Sequence, residues 1–143
     1  MGEAEEVRLF SVEEVDELIP RLELIMERLQ RCALELRRSF ELLAAEKHCP
    51  VGELDVAELV RRWPEKHSII DDLETLVREI GDCGGQFKGI DLGLVDFPTE
   101  MEGRIVLLCW QYGEKEVSHW HPLDGGFAAR RPLARAARAS FLQ

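Results

Sequence analysis

Several common signals are scarce or missing in this sequence. No apolar run approaches the roughly 20 residues of a membrane-spanning helix, and the acidic start MGEAEEVRLF is unlike a signal peptide. Glycine and proline number only 11 and 6 among 143 residues, which excludes a fibrous or low-complexity chain. These absences predict one cytoplasmic domain that does not enter a membrane.

Basic residues are also in short supply. The chain has 18 Lys and Arg against 28 Asp and Glu, a formal net charge of −10. Because Lys and Arg are what neutralise phosphates, nucleic acids and anionic membranes are not the expected partners. The excess acid is uneven: residues 1–82 carry 21 acids and 11 bases, whereas residues 83–143 carry seven of each.

The cysteines lack the spacing of a zinc ribbon or finger, which needs ligands two to four residues apart. Neighbouring cysteines are at least 17 positions apart, so we expect reduced thiols that pack as small hydrophobic groups. Cys49 and Cys83, each beside a loop, are the two expected at the surface. No disulfide framework is expected.

Sequence motifs of common enzymes are missing as well. There is no G-x-S-x-G elbow, no G-x-x-x-x-G-K-[ST] phosphate loop and no G-x-G-x-x-G opening a helix. The C-terminal part, from residue 83, holds two serines, Ser118 and Ser140. The sequence therefore favours a non-enzymatic protein and predicts no required cofactor.

The N-terminal half has the pattern of helices. Ser11 and Glu14 form a capping box, and apolar residues then recur every three or four positions. We expect a short turn, a kink at Pro20 and a long helix to about Glu46. The stripe comprises Val15, Leu18, Leu22, Ile25, Leu29, Cys32, Leu36, Phe40 and Leu43.

A second helix is predicted from Asp55, with Glu58 completing another capping box, to Ile80, with a pause at Trp63–Pro64. The short connection predicts an antiparallel helical hairpin of coiled-coil type. A hairpin of this length cannot bury both apolar stripes against itself. Either the C-terminal half or another protomer must cover the remainder.

After Gly85 the apolar period changes from 3.6 to 2, which predicts four strands at 87–90, 94–97, 105–110 and 117–121. Their short connections predict an antiparallel meander, with a turn at residues 98–103. The fold class is therefore α+β, within one domain. Its expected parts are an arm (1–10), a hairpin (11–82), a β-meander (83–124) and an irregular basic tail (125–143), whose Ala/Arg-rich end is at best a frayed helix.

Functional residue types concentrate in the sheet half. His119 and His121 are two apart on a predicted strand, so both imidazoles share a face and can chelate one metal. Asp124, with Asp96 from another strand, would complete a site for a divalent ion and a water, as in a metal-assisted hydrolase. The competing interpretation is structural: His121 binds Asp124 or a backbone carbonyl and fixes the loop.

Asp96 lies within an apolar segment, so it needs a partner, and an arginine at 130 or 131 or a histidine is the natural choice. Trp110 and Trp120 are expected in the core, with a ligand-binding surface as the alternative. Glu114 and Glu116 flank a turn and are expected at the surface. An arginine cluster near the C-terminus would suit an anionic ligand or the acidic hairpin of a neighbouring molecule.

Four segments together resemble a bacterial family known as domain of unknown function 2203. They are FSVEEVDELIP (10–20), DLGLVDFP (91–98), VLLCWQYGE (106–114) and WHPLDGGFAAR (120–130). The resemblance extends over about residues 9–132 and names no activity; His119 lies outside its pattern. It implies a shared architecture and a polar site around Asp96, Glu114, His121, Asp124 and Arg130. The matching positions are Gly93, Asp96, Cys109, Trp110, Gly113, Glu114, His121, Asp124, Gly126 and Arg130.

Two hypotheses follow. The leading one is an interaction or scaffold module that associates through its helices, with a second copy as a dimer or with another protein. The alternative is a small-ligand or divalent-metal site on the sheet half. The residues for a ligand are Asp96, Trp110, Glu114, His121, Asp124 and Arg130, and those for a metal are His119, His121 and Asp124.

Overall fold

One long helix, α1, makes up most of the N-terminal part. In the computed structural model, which describes residues 7–134, α1 spans Val12–Lys47, 36 residues. The predicted capping box is confirmed: Ser11 Oγ accepts a hydrogen bond from the Glu14 amide, and the Glu14 carboxylate accepts one from the Ser11 amide.

Helix α1 continues through Pro20, so the short turn and the long helix predicted on either side of it are one element. Proline removes a single helical hydrogen bond. Its neighbours Val15, Ile19 and Leu22 are fully buried in the core, and this tertiary packing outweighs the local loss.

Two further helices follow α1. Helix α2 spans Val56–Arg62 and helix α3 spans His67–Asp82, separated by a 3₁₀ turn at Pro64–Lys66. The predicted start and pause are therefore confirmed. The second capping box forms only in part: Asp55 accepts from the Glu58 amide, while the Glu58 carboxylate binds Lys47 at 2.9 Å.

Contacts along the hairpin show that its helices run antiparallel. At one end the Phe10 ring packs against Gly84, and at the other Arg62 binds Glu46 at 2.9 Å. Between them, residues of α1 and α3 line a groove of about 340 Å³, with Cys32 on one wall. Among the described residues, no helix is long and apolar enough to cross a membrane.

The C-terminal part is a five-stranded antiparallel sheet in sequential order, which confirms the α+β fold class. Its strands are β1 (Gln86–Gly89), β2 (Leu94–Met101), β3 (Arg104–Gln111), β4 (His119–Pro122) and β5 (Arg131–Pro132). The fifth strand was not predicted and lies in the segment expected to be irregular. The predicted frayed helix falls mostly outside the described residues.

The predicted turn at residues 98–103 is shorter than expected. Strand β2 continues to Met101, and Glu102 and Gly103 alone form the turn, with φ angles of 52° and 76°. Positive φ at both positions is typical of a two-residue type I′ hairpin. The Pro98 carbonyl accepts a hydrogen bond from the Phe10 amide at 2.7 Å, so it points away from β3. Because the nitrogen and the carbonyl of a strand residue point to the same side, the N–H that proline lacks would also have pointed away from β3. The pairing of β2 with β3 therefore loses no hydrogen bond at Pro98.

The central strands β2 and β3 are buried on both faces of the sheet. One face packs on α1 and α3 and contributes Val95, Phe97, Leu108 and Trp110 to the core cluster. Residues of opposite parity lie on the other face, where Asp96, Cys109 and His121 are also buried. The expectation of a central strand covered on both sides is confirmed for β3.

Candidate functional site

The face of the sheet that points away from the helices holds a buried polar cluster. Asp96 on β2 pairs with Cys109 on β3, and His121 lies on the neighbouring strand β4. The relative exposures of these residues are 2%, 1% and 2%. One ligating atom from each, a carboxylate oxygen, the thiol sulfur and an imidazole nitrogen, lies within 4.8 Å of the other two.

Both ring nitrogens of His121 are engaged. Nδ1 lies 2.8 Å from the Pro122 carbonyl oxygen, and Nε2 lies 2.8 Å from Asp96 Oδ2. A carbonyl oxygen can only accept, so Nδ1 carries a hydrogen. One further proton is shared between Nε2 and Asp96, and the pair is neutral overall whichever atom holds that proton. A histidine is thus the partner that Asp96 requires.

Cys109 is unsuited to act as a nucleophile. Burial, together with the nearby Asp96 carboxylate, raises the pKa of its thiol to about 12, so the thiol is protonated at neutral pH. His121 does not activate this thiol as a base, because its Nδ1 is bonded to the Pro122 carbonyl and its Nε2 to Asp96.

Glu114 and Arg130 form a second polar group beside the cluster. Arg130 Nη2 donates to the Cys109 carbonyl at 3.0 Å and to Glu114 Oε1 at 2.8 Å. The Glu114 carboxylate also accepts from the Gln111 amide, and its carbonyl accepts from the Trp110 indole. Glu114 therefore fixes the turn after β3 and holds Arg130 against the sheet.

Among the described residues, the other predicted site residues contribute no ligating atom to this cluster, although His119 pairs with Cys109 across the strands. Trp110 is fully buried on the opposite face, within the apolar core. His119 Nδ1 lies 2.9 Å from Ser118 Oγ and 3.5 Å from Glu114 Oε2. Asp124 is exposed in the loop after β4.

Two buried polar atoms near the cluster lack a hydrogen-bond partner within the described part of the chain. They are Asp96 Oδ1 and Arg130 Nε. Buried polar atoms are almost always bonded, so each requires an explanation. Asp96 Oδ1 belongs to the same carboxylate that binds His121 through Oδ2, and that carboxylate lies beside the Cys109 thiol.

The cysteines are all free thiols. Cys49 is half-buried, but the expected exposure of Cys83 was wrong: it is 5% exposed at the end of α3. Cys109 was assigned to the core from its apolar surroundings. Its register opposite Asp96 is what brings its thiol to the polar cluster.

A family model described as "Uncharacterized conserved protein (DUF2203)" matches residues 8–133, most of the chain. The chain belongs to the DUF2203 family. This confirms the resemblance seen in the sequence. No curated protein and no solved structure matched the chain. Membership of DUF2203 names no activity, so the activity is argued from the site.

Proposed function

We propose that this protein is a non-enzymatic interaction module that pairs with a second copy of itself through the distal hairpin, residues 34–70. One observation carries the proposal. The core cluster takes residues of α1 up to Cys32 and of α3 from Leu73 onward, and, of the described residues, none between 34 and 70 belongs to it. The apolar stripe nevertheless continues through this segment.

The burial of the apolar stripe along α1 shows where the core cluster stops covering the helix. Leu22 and Leu29 are fully buried, whereas Leu36 and Phe40, on the same side of the helix, are half-buried. The distal hairpin buries Leu43, Leu59 and Ile69 outside the main core cluster, and its apolar face stays partly open at Leu36 and Phe40. Two such hairpins packed together would form a four-helix bundle, a common way to bury stripes of this kind.

Charge favours a second copy as the occupant. Residues 34–70 carry seven acids and six bases, whereas residues 1–33 carry nine and four, and residues 71–82 carry five and one. The net negative charge of the hairpin thus lies mainly outside the distal part. Two copies can meet there without strong repulsion.

The four free thiols support a reducing compartment, and we place the protein in the cytoplasm. We infer no membrane partner, and the net charge disfavours nucleic acid.

A second candidate function is a ligand or metal site on the sheet half, favoured by the Asp96, Cys109 and His121 cluster. The near-complete burial of these residues argues against a hydrolase, since a substrate has no access to them. A bound metal would then serve the fold.

Light scattering of the full chain over a range of concentrations tests the association. We expect a dimer that dissociates on dilution. Phe40→Glu should shift the equilibrium to monomer by placing a charge in the proposed interface. Leu24→Glu, at a position 63% exposed on the part of α1 that packs on the sheet, is the matched control and should still dimerise.

Circular dichroism of both variants establishes that they remain helical. A wild-type chain that is monomeric at every concentration contradicts the proposal. Equal dissociation of the Leu24 and Phe40 variants contradicts the assignment to the distal hairpin.

A further inference from the structure

We propose that Asp96, Cys109 and His121 form a closed binding site for one divalent metal ion, with Zn²⁺ as the best-matched ion. This inference rests on residues other than those of the proposed interface. Thiolate, imidazole and carboxylate are the three side-chain ligands that Zn²⁺ takes in proteins. Here they come from three adjacent strands of one sheet.

The distances fit a site that closes on the ion. Zn²⁺ bonds of roughly 2.0–2.3 Å in a tetrahedron place ligand atoms about 3.3–3.7 Å apart. The three ligating atoms already lie within 4.8 Å of one another, and His121 Nε2 is 2.8 Å from Asp96 Oδ2. Small side-chain rotations therefore suffice, without a change in strand register.

His121 has the tautomer that a metal ligand needs. Its Nδ1 hydrogen is directed to the Pro122 carbonyl, so the nitrogen available for coordination is Nε2, which faces Asp96. A zinc-binding histidine commonly donates a hydrogen bond from its second ring nitrogen to a backbone carbonyl, which fixes the orientation of the ring. The unpartnered Asp96 Oδ1 adds a further oxygen on the same carboxylate.

Proton and charge balance select a divalent ion. Without metal, the cluster holds one proton shared by His121 and Asp96 and one on the Cys109 thiol, and it is neutral. Binding of M²⁺ releases both protons to solvent and leaves a thiolate, a carboxylate and a neutral imidazole around the ion. The occupied site is again neutral, which matters because uncompensated buried charge is costly.

The charged groups beside the cluster do not upset this balance. Arg130 is paired with Glu114 at 2.8 Å, so the two together add no net charge. With all three ligands almost fully buried, the site is closed to substrates. The ion would act as a cross-link between β2, β3 and β4.

The test uses the full chain, unfolded with a chelator and refolded with Co²⁺ or Zn²⁺ alone. We expect one bound ion per chain by elemental analysis and, with Co²⁺, the absorption bands of a tetrahedral cobalt–thiolate centre. The melting temperature should rise with Zn²⁺ and fall again after chelation.

Cys109→Ala should abolish the cobalt–thiolate bands and the stoichiometric binding. Cys83→Ala, which removes another buried thiol outside the cluster, is the matched control and should retain both. Because the bands are also recorded on the wild-type chain, an unstable variant does not void the test. Absence of bound metal and of any melting shift in the wild type overturns the proposal, as does binding that survives Cys109→Ala.

Discussion

The sheet and the distal hairpin differ in how completely their apolar residues are covered. In β3 every residue from Val106 to Trp110 is buried, on both faces of the sheet. On the distal part of α1, Leu36 and Phe40 continue the apolar stripe but stay half-buried. Because the central strands are buried on both faces, the polar residues Asp96, Cys109 and His121 form a closed cluster. The apolar residues of the distal hairpin are only partly buried, so they leave a surface for a partner.

The largest difference in the free energy of unfolding is expected between substitutions of two tryptophans. Trp110→Ala removes a fully buried side chain from the core cluster and should lower the free energy of unfolding by about 3–5 kcal/mol. Trp63→Ala, in the half-buried distal hairpin, should cost about 1–2 kcal/mol. Urea unfolding of dilute protein measures both. Equal losses would show that the distal hairpin is as tightly packed as the sheet.

A smaller difference in stability is expected between substitutions of two helix-capping residues. Ser11 caps α1, whose first turns pack in the core, so Ser11→Ala should cost about 1 kcal/mol of global stability. Asp55 caps the short helix α2 in the distal hairpin. Asp55→Ala should promote local opening there with a smaller global loss. Urea unfolding and amide exchange separate the two effects, and a reversed order would contradict this account.

The smallest effect on stability is expected from removal of the ion pair between Glu46 on α1 and Arg62 on α2. Arg62 lowers the pKa of Glu46 through their hydrogen bonds, so any stabilisation is present above the ordinary carboxyl pKa and is lost as the pH falls. Both side chains are exposed, so Glu46→Gln should leave the urea midpoint within error at neutral pH. The measurement is made on dilute protein, where a clear shift would contradict the exposure of this pair in the single chain.

The helices and most strands could be predicted because their signals are local. The capping box at Ser11 and the pause at Trp63–Pro64 depend on neighbouring residues, and both are confirmed. The continuity of α1 through Pro20 depends on packing against distant strands. The extension of β2 through Pro98 depends on a hydrogen bond from Phe10, far away in sequence.

The candidate site was predicted in part for the same reason. The sequence indicates that Asp96 is a carboxylate in an apolar strand and needs a partner, an arginine at 130 or 131 or a histidine. The apolar segment around Cys109 predicts a core residue. Its place in the polar cluster depends on the strand register, which sets it opposite Asp96. The exposure of Asp124 follows from the path of the loop after β4, which spacing alone does not determine.

Amide hydrogen exchange of the wild-type chain at low and high protein concentration tests the central claim, self-association through the distal hairpin, most directly. The account predicts that protection rises with concentration within residues 34–70 and stays constant in the sheet. Protection that is independent of concentration throughout, or that rises first in the sheet, would contradict it.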